Sequence, residues 1–241
     1  MAEDGVIREH EVYFATLAEQ AERYDEMTGH MRNAALFEQE LDSEERNLLA
    51  VAFKQAVGQR RSSWRIVCAA EKDELAKGNH MTTASARNYR KKIEKELTDF
   101  CQTILALLND KLIPGATTAE AKVSFYKALG DYHRYMAEIS DDIERVRATT
   151  AAKTAYEDGT KVAETSLKVT SPFRLGLALN HAVFYYEVMN APTEAVRIGR
   201  KAFEDAVREI DNLGEDAAKE SALVMQLLRD NLTLWTSDPN S

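Results

Sequence analysis

The four prolines and most of the ten glycines of this 241-residue chain stand where amphipathic helices have to stop. Pro114-Gly115 follows the run Thr98 to Ile113, and Thr117-x-x-Glu120 then reads as a capping box that opens another helix. Ser171-Pro172 reads as an N-cap followed by proline at the first helical position, and Asn190-Ala191-Pro192 breaks the next pair. Gly214 closes the helix before Glu215. Between these marks apolar residues recur every three or four positions with almost no period-two alternation, which predicts an all-α chain of about nine helices. The expected spans are Ile7–Gln20, Tyr24–Gln39, Ser43–Ala76, Ala84–Lys111, Ala119–Ile139, Asp141–Thr165, Pro172–Met189, Thr193–Leu213 and Ala217–Trp235. The longest make rods of roughly 40 to 50 Å that must pack antiparallel to bury their apolar stripes. Connections are short and no long repeat recurs, so residues 1–241 are expected to form one helical domain.

A 44% hydrophobic content supports a substantial core. The net charge of −9, from 31 Lys plus Arg against 40 Asp plus Glu, argues against nucleic acid as a partner. No apolar run approaches the roughly 18 residues of a membrane span, and the opening MAEDGVIREHEVYF lacks the pattern of a signal peptide. A soluble, unsecreted, cytoplasmic protein with no membrane insertion is expected. Cys68 and Cys101 form no CxxC pair and read as buried thiols. None of His10, His30, His80, His133 or His181 has glutamate three residues before it, so the chain lacks the di-iron pattern of helical oxidases. Asp141-Asp142-Ile143-Glu144-Arg145 hints at a diphosphate-metal motif, but Arg145 stands where a carboxylate is needed. With no phosphate loop and no nucleophile elbow, neither an enzyme nor a cofactor or metal is expected.

Binding chemistry is better represented. Lys54, Arg61 and Arg65 follow each other by seven and four residues, steps that return to one side of a helix. The apolar face of Leu49, Phe53, Ala56, Val57, Trp64, Val67 and Cys68 lies roughly 100° away. Such a stripe is often a solvated face, yet a guanidinium offers a planar fork of donors that matches two phosphate oxygens. In KALGDYHRYMAE, Lys127, Asp131, Arg134 and Tyr135 share about a third of the helix circumference. Alone, Lys127 and Asp131 read as an i,i+4 surface pair worth a few tenths of a kcal/mol. Leu179, Asn180, Val183 and Glu187 form a third set, and Leu223, Val224, Leu227 and Asn231 a fourth, with Trp235 one turn further on. Each asparagine offers both donor and acceptor, as an extended peptide backbone requires.

Taken together, RNLLAVAFK, RRSSWR, GDYHRYMAE, RLGLALNHAVFYYE and MQLLRDNLTLWTSD, with LAEQAERYDEM near the start, closely resemble the 14-3-3 family from about Leu17 to Asp238. The resemblance implies nine antiparallel helices per subunit, a concave groove in each, and a homodimeric cup. The first four helices would supply dimerisation and the groove floor, and the last five the groove wall. It implies phosphate contacts from Lys54, Arg61, Arg134 and Tyr135, with Arg65 beside them. Asn180 and Asn231 would grip the peptide backbone, Lys127, Asp131 and Glu187 would line a polar wall, and Leu179, Val183, Leu223, Val224 and Leu227 an apolar one. Trp235 would reach over ligand side chains.

At the implied dimer interface Leu17 and Ala21 would meet Ser63, Val67 and Tyr89 of the second subunit, with Arg23 to Glu96 and Glu26 to Lys92 as ion pairs. Partners would be clients phosphorylated on serine or threonine, with Arg upstream and often Pro two residues after. Heterodimers with paralogues and a nuclear pool are open. Leu129, His133 and Gly159 depart from the family pattern, the first two beside the implied groove and the third inside a helix. The sequence ends at DPNS, so the family's acidic tail is not expected to compete for the groove. The competing reading is a helical peptide scaffold indifferent to phosphate.

Overall fold

The structure is a computed structural model that describes residues 2–212 and 214–237. Among them are nine helices and no strand. These are α1 (Ala2–Gln20), α2 (Tyr24–Leu36), α3 (Ser43–Ala76), α4 (His80–Leu107), α5 (Ala119–Ile139), α6 (Asp142–Ser166), α7 (Pro172–Glu187), α8 (Pro192–Glu209) and α9 (Glu215–Ser237). A π-helical turn, Leu108–Leu112, and one helical turn, Ile113–Gly115, continue α4, and a 3-10 turn, Ile210–Asn212, follows α8. The expected helix end at Leu213 and the terminal DPNS lie outside the described residues. The chain divides into two compact units, Met1–Gly115 and Ala116–Ser241, at the Pro114-Gly115 break.

In the first unit α1 packs on α2, α2 on α3 and α3 on α4. Met27, Met31, Leu41, Phe53, Val57, Leu97 and Leu108 are among its largest buried apolar side chains. Asp42 opens α3 with a full capping box: its carboxylate accepts from Glu45 N at 2.9 Å, and Glu45 Oε2 accepts from Asp42 N at 3.0 Å. Glu45 also pairs with Arg8 in a buried contact that ties α1 to the start of α3. Trp64 with Glu94 and Glu71 with Arg87 and Arg90 show that α3 and α4 run antiparallel.

The α3–α4 turn is tighter than expected. Gly78 takes a left-handed φ of 75°, and Glu74 accepts from Thr82 at 2.6 Å, Asn79 at 2.8 Å and Lys77 at 3.0 Å. These three bonds hold its carboxyl down to about 2. By binding Asn79 and Thr82 together, Glu74 lets α4 start at His80, four residues before Ala84. The capping residue of α5 is likewise Thr118 rather than Thr117, since Thr118 Oγ1 accepts from Ala121 N at 3.2 Å.

In the second unit α5 packs chiefly on α6, and α7 contacts α5, α6, α8 and α9. Two glycines set the spacing. A Cβ on Gly130 would lie 2.6 Å from the Tyr156 ring, and one on Gly159 would lie 2.8 Å from Tyr126 Cβ and 3.2 Å from Leu177. Those facing pairs, 130 with 156 and 126 with 159, make α5 and α6 antiparallel. Gly159, the departure inside a helix, is thus where α6 meets both neighbours, an approach closed to any larger residue. Leu129 is buried at 8% exposure, its position falling on the inner face of α5. His133 is half-buried, and burial lowers its pKa.

Tyr156, His181 and Tyr185 form an aromatic stack at ring separations of 5.3 and 5.2 Å. Burial pushes the His181 imidazole from 6.5 down to about 4; Glu194 raises it, and Arg197 and Lys153 lower it. The folded ring therefore stays neutral where the unfolded one takes up a proton. Its contribution is complete above 6.5 and is lost as pH falls from 6.5 towards 4, by roughly 2 kcal/mol at pH 5. Urea unfolding of wild type and His181→Phe at pH 7 and pH 5 is expected to show a smaller pH loss in the variant. Equal losses would contradict this assignment.

Candidate functional site

Asp131 is the centre of the polar site in the second unit. It sits on α5 at 6% exposure, next to Gly130, whose close contact with Tyr156 brings the Tyr156 hydroxyl within reach. Tyr156 donates to Asp131 Oδ1 at 2.6 Å, and the Asn180 amide on α7 donates to both carboxylate oxygens at 2.8 Å. Lys127 Nζ donates to Oδ2 at 3.0 Å, and Arg134 lies 3.6 Å from Oδ1. Burial pushes the Asp131 carboxyl up, but Lys127, Arg134 and the bonds from Tyr156 and Lys127 outweigh it and hold it below its usual range. Asp131 in turn raises Lys127. The wet surface pair expected of Lys127 and Asp131 is therefore buried at its aspartate and half-exposed at its lysine, because α6 and α7 cover the Asp131 side of α5.

Arg134 differs from its neighbours in how little its donors are used. Its side chain is only 11% exposed, and it stacks on the Tyr135 ring at 4.7 Å. It lies 3.4 Å from Tyr135 Oη, 3.5 Å from Glu187 and 3.6 Å from Asp131, and it also interacts with the Tyr156 hydroxyl. Its buried Nε has no hydrogen-bond partner. A charge-assisted N–H···O bond is ordinarily about 2.7 to 2.9 Å. The guanidinium is fixed in place, with Nε left without a partner.

The apolar residues separate into two groups. Leu179 and Val224 pack against Leu175, Ala206, Met225 and Leu228, while Leu223 and Leu227 on α9 remain exposed. Val183 packs with the buried Trp235. Trp235 is 3% exposed and stacks on Tyr186 at 5.0 Å. It belongs to the core that fixes α9 on α7. Asn231 is half-buried and Glu187 exposed. Tyr156, which the sequence reading omits, lies 25 residues from Asp131, so no local spacing reveals it.

In the first unit Lys54 and Arg65 are exposed on α3 and Arg61 is half-buried. Arg60, beside the stripe, is structural: its fork holds Asp25 through two 2.8 Å bonds, its Nε lies 3.3 Å from Glu96, and it covers Phe100 at 4.3 Å. Of the residues assigned to a dimer face, Leu17, Ala21, Ser63, Tyr89 and Lys92 are exposed and Val67 and Glu96 half-buried. Arg23 and Glu26 hydrogen-bond each other, with Nε to Oε2 at 2.8 Å, so within one chain neither waits unpaired. Cys101 is buried, which pushes its thiol up to about 12, and Cys68 is half-buried. No helix of the described residues is long and apolar enough to cross a membrane.

Fold and site together define an all-α protein whose second unit presents a buried-carboxylate network, a poised arginine and an apolar strip on neighbouring helices. The family model described as 14-3-3 protein matches residues 14–236. The chain is 53% identical over 229 residues to a 14-3-3 protein homolog of Candida albicans, covering 95% of this chain and 87% of that one. It is 53% identical over 232 residues to Protein BMH2 of Saccharomyces cerevisiae, covering 96% and 85%. It is 50% identical over 240 residues to the 14-3-3-like protein GF14 iota of Arabidopsis thaliana, covering 99% and 90%. The chain belongs to the 14-3-3 family. Membership supports a role as an adaptor that binds phosphoserine and phosphothreonine.

Proposed function

We propose that this protein is a dimeric, non-catalytic adaptor that recognises phosphorylated serine or threonine in client proteins and controls their conformation, location or association. The observation that carries the reading is Arg134, held at 11% side-chain exposure with its Nε unpartnered and with contacts of 3.4 to 3.6 Å to Tyr135, Glu187 and Asp131. Lys54, Arg61 and Tyr135 join it as phosphate contacts, with Arg65 in support. Asn180 and Asn231 bind the peptide backbone, and Leu179, Val183, Leu223, Val224 and Leu227 take its apolar side chains. Lys127, Asp131 and Glu187 position the cations and amides. Trp235 is proposed to reach ligand side chains at the end of this strip. An unphosphorylated serine leaves the guanidinium under-bonded, whereas a phosphate satisfies it, so the modification itself supplies the discrimination. Phosphatase treatment of a client lysate before pull-down is expected to abolish capture, and undiminished capture would favour the phosphate-indifferent scaffold.

The dimer is proposed to use Leu17, Ala21, Val67 and Tyr89 as its apolar contacts, with Arg23, Glu26, Lys92 and Glu96 setting register. For cross-subunit pairing Arg23 and Glu26 must exchange their mutual bond, and Glu96 its contact with Arg60, so the charges add little net stability. Ser63 is exposed, and its hydroxyl donates to Gln59 O at 3.0 Å. Phosphorylation there places a dianion in the proposed interface and is expected to yield monomers in light scattering. An unchanged dimer mass in a fully phosphorylated sample would reject this.

A further inference from the structure

A carboxylate offers about four acceptor positions, two on each oxygen, and those of Asp131 are filled from within the fold. Oδ1 accepts from the Tyr156 hydroxyl at 2.6 Å and from the Asn180 amide at 2.8 Å, and Oδ2 accepts from the same amide at 2.8 Å and from Lys127 Nζ at 3.0 Å. Arg134, three residues further along α5, stands 3.6 Å from Oδ1, outside the roughly 2.7 to 2.9 Å of a charge-assisted bond. A buried carboxylate and a guanidinium therefore lie side by side without a bond of that length between them.

Tyr156 is the donor of this set that no ligand can reach, since it is fully buried. Its ring is held on three sides. Gly130 leaves space where a Cβ would lie 2.6 Å from the ring, His181 stacks on it at 5.3 Å, and Phe184 tilts against it at 5.4 Å. A phenol held in this way brings its oxygen to one fixed point. Its single proton goes to Asp131, so towards any other group it can only accept. The hydroxyl also interacts with Arg134. It thus serves both charges, as donor to the carboxylate and as acceptor towards the guanidinium.

Taking the hydroxyl away has a defined consequence. Oδ1 regains an acceptor position inside the fold, where an unmet acceptor is costly, and Arg134 is 3.6 Å away. A shift of about 1 Å turns that contact into a charge-assisted pair, which is strong where water is excluded. A guanidinium bonded to Asp131 has to leave it before it can bond a phosphate.

We propose that Tyr156 is a positioning residue for phosphate recognition: its hydroxyl occupies the Asp131 oxygen that Arg134 approaches, and so keeps the carboxylate from capturing the guanidinium. The inference rests on the phosphopeptide reading and on the part Arg134 plays in it. The test is a double-mutant cycle on the full chain, read by calorimetry with phosphorylated and unphosphorylated forms of one serine peptide. Tyr156→Phe keeps the ring and its packing, and is expected to weaken phosphopeptide binding about tenfold, to leave the unphosphorylated form unaffected, and to cost nothing further when added to Arg134→Ala. In a crystal structure of Tyr156→Phe the Arg134 to Asp131 distance is expected to close to about 2.8 Å. Val123→Ala removes volume from the same core without touching a polar group, and is expected to lower the melting temperature while keeping the phosphate preference of the wild type. 4-Aminophenylalanine at position 156 keeps both the ring and a donor for Oδ1, and is expected to bind as the wild type does. A wild type that does not distinguish the two peptides would overturn the phosphopeptide reading and this inference with it. If the wild type does distinguish them, the role of Tyr156 alone would be overturned by Tyr156→Phe binding as tightly, by a loss that persists beside Arg134→Ala, by an unchanged 3.6 Å separation, or by a tenfold loss in the amine variant.

Discussion

Arg134→Ala is expected to weaken binding of a phosphoserine peptide about a hundredfold, with a melting temperature within a few degrees of wild type. The size follows from losing one or two charge-assisted bonds at roughly 1.5 to 3 kcal/mol each. The small stability effect follows from the contacts that remain. Asp131 keeps Tyr156 at 2.6 Å, Asn180 at 2.8 Å and Lys127 at 3.0 Å, so it is not left as an unpaired buried charge. Arg134→Lys retains the charge and loses the planar fork, and should fall between the two. Isothermal calorimetry with phosphorylated and unphosphorylated forms of one peptide measures both terms. A loss shared equally by the two forms would mean that Arg134 shapes the groove without reading phosphate.

The second large effect concerns packing. Gly130→Ala places a methyl 2.6 to 2.7 Å from three Tyr156 ring atoms. The ring cannot move aside easily, because Tyr156 is fully buried, stacked on His181 and hydrogen-bonded to Asp131. Overpacking of this kind costs about 1 to 3 kcal/mol or somewhat more, against a helix-propensity gain of about 1 kcal/mol for Gly to Ala. A net loss of about 2 kcal/mol is expected, or roughly 4 to 8 °C in melting temperature. Gly176→Ala is the control: nothing lies within 4 Å of its added Cβ, so it is expected to be neutral or stabilising. Melting curves that rank the two variants the other way would show that α5 and α6 have room to separate.

Much of this molecule is legible in one dimension because helices are local. The spans Ser43–Ala76 and Ala119–Ile139 follow directly from apolar spacing and bounding turns, and the lysine, aspartate and arginine of KALGDYHRYMAE are one turn apart on a single helix. What spacing cannot show is which side of a helix another element covers. That is why Lys127 and Asp131, taken alone, read as a surface pair although Asp131 is buried. Tyr156 fails to register for the same reason, since its partner Asp131 is on a different helix. The early start of α4 depends on Glu74 reaching across the turn to Thr82. Asp42 and Glu45, by contrast, carry a capping box at the standard spacing, a local signal that the reading of α3 did not need. Gly159 reads from sequence as an interruption and is in the fold a point of close approach.

The most direct test of the adaptor reading is fluorescence anisotropy of one Arg-containing phosphoserine peptide and its unphosphorylated twin, titrated with wild type and with Arg61→Glu. Tight binding that requires both the phosphate and Arg61 is the expected result. Equal affinity for the two peptides, or affinity unchanged by Arg61→Glu, would contradict it.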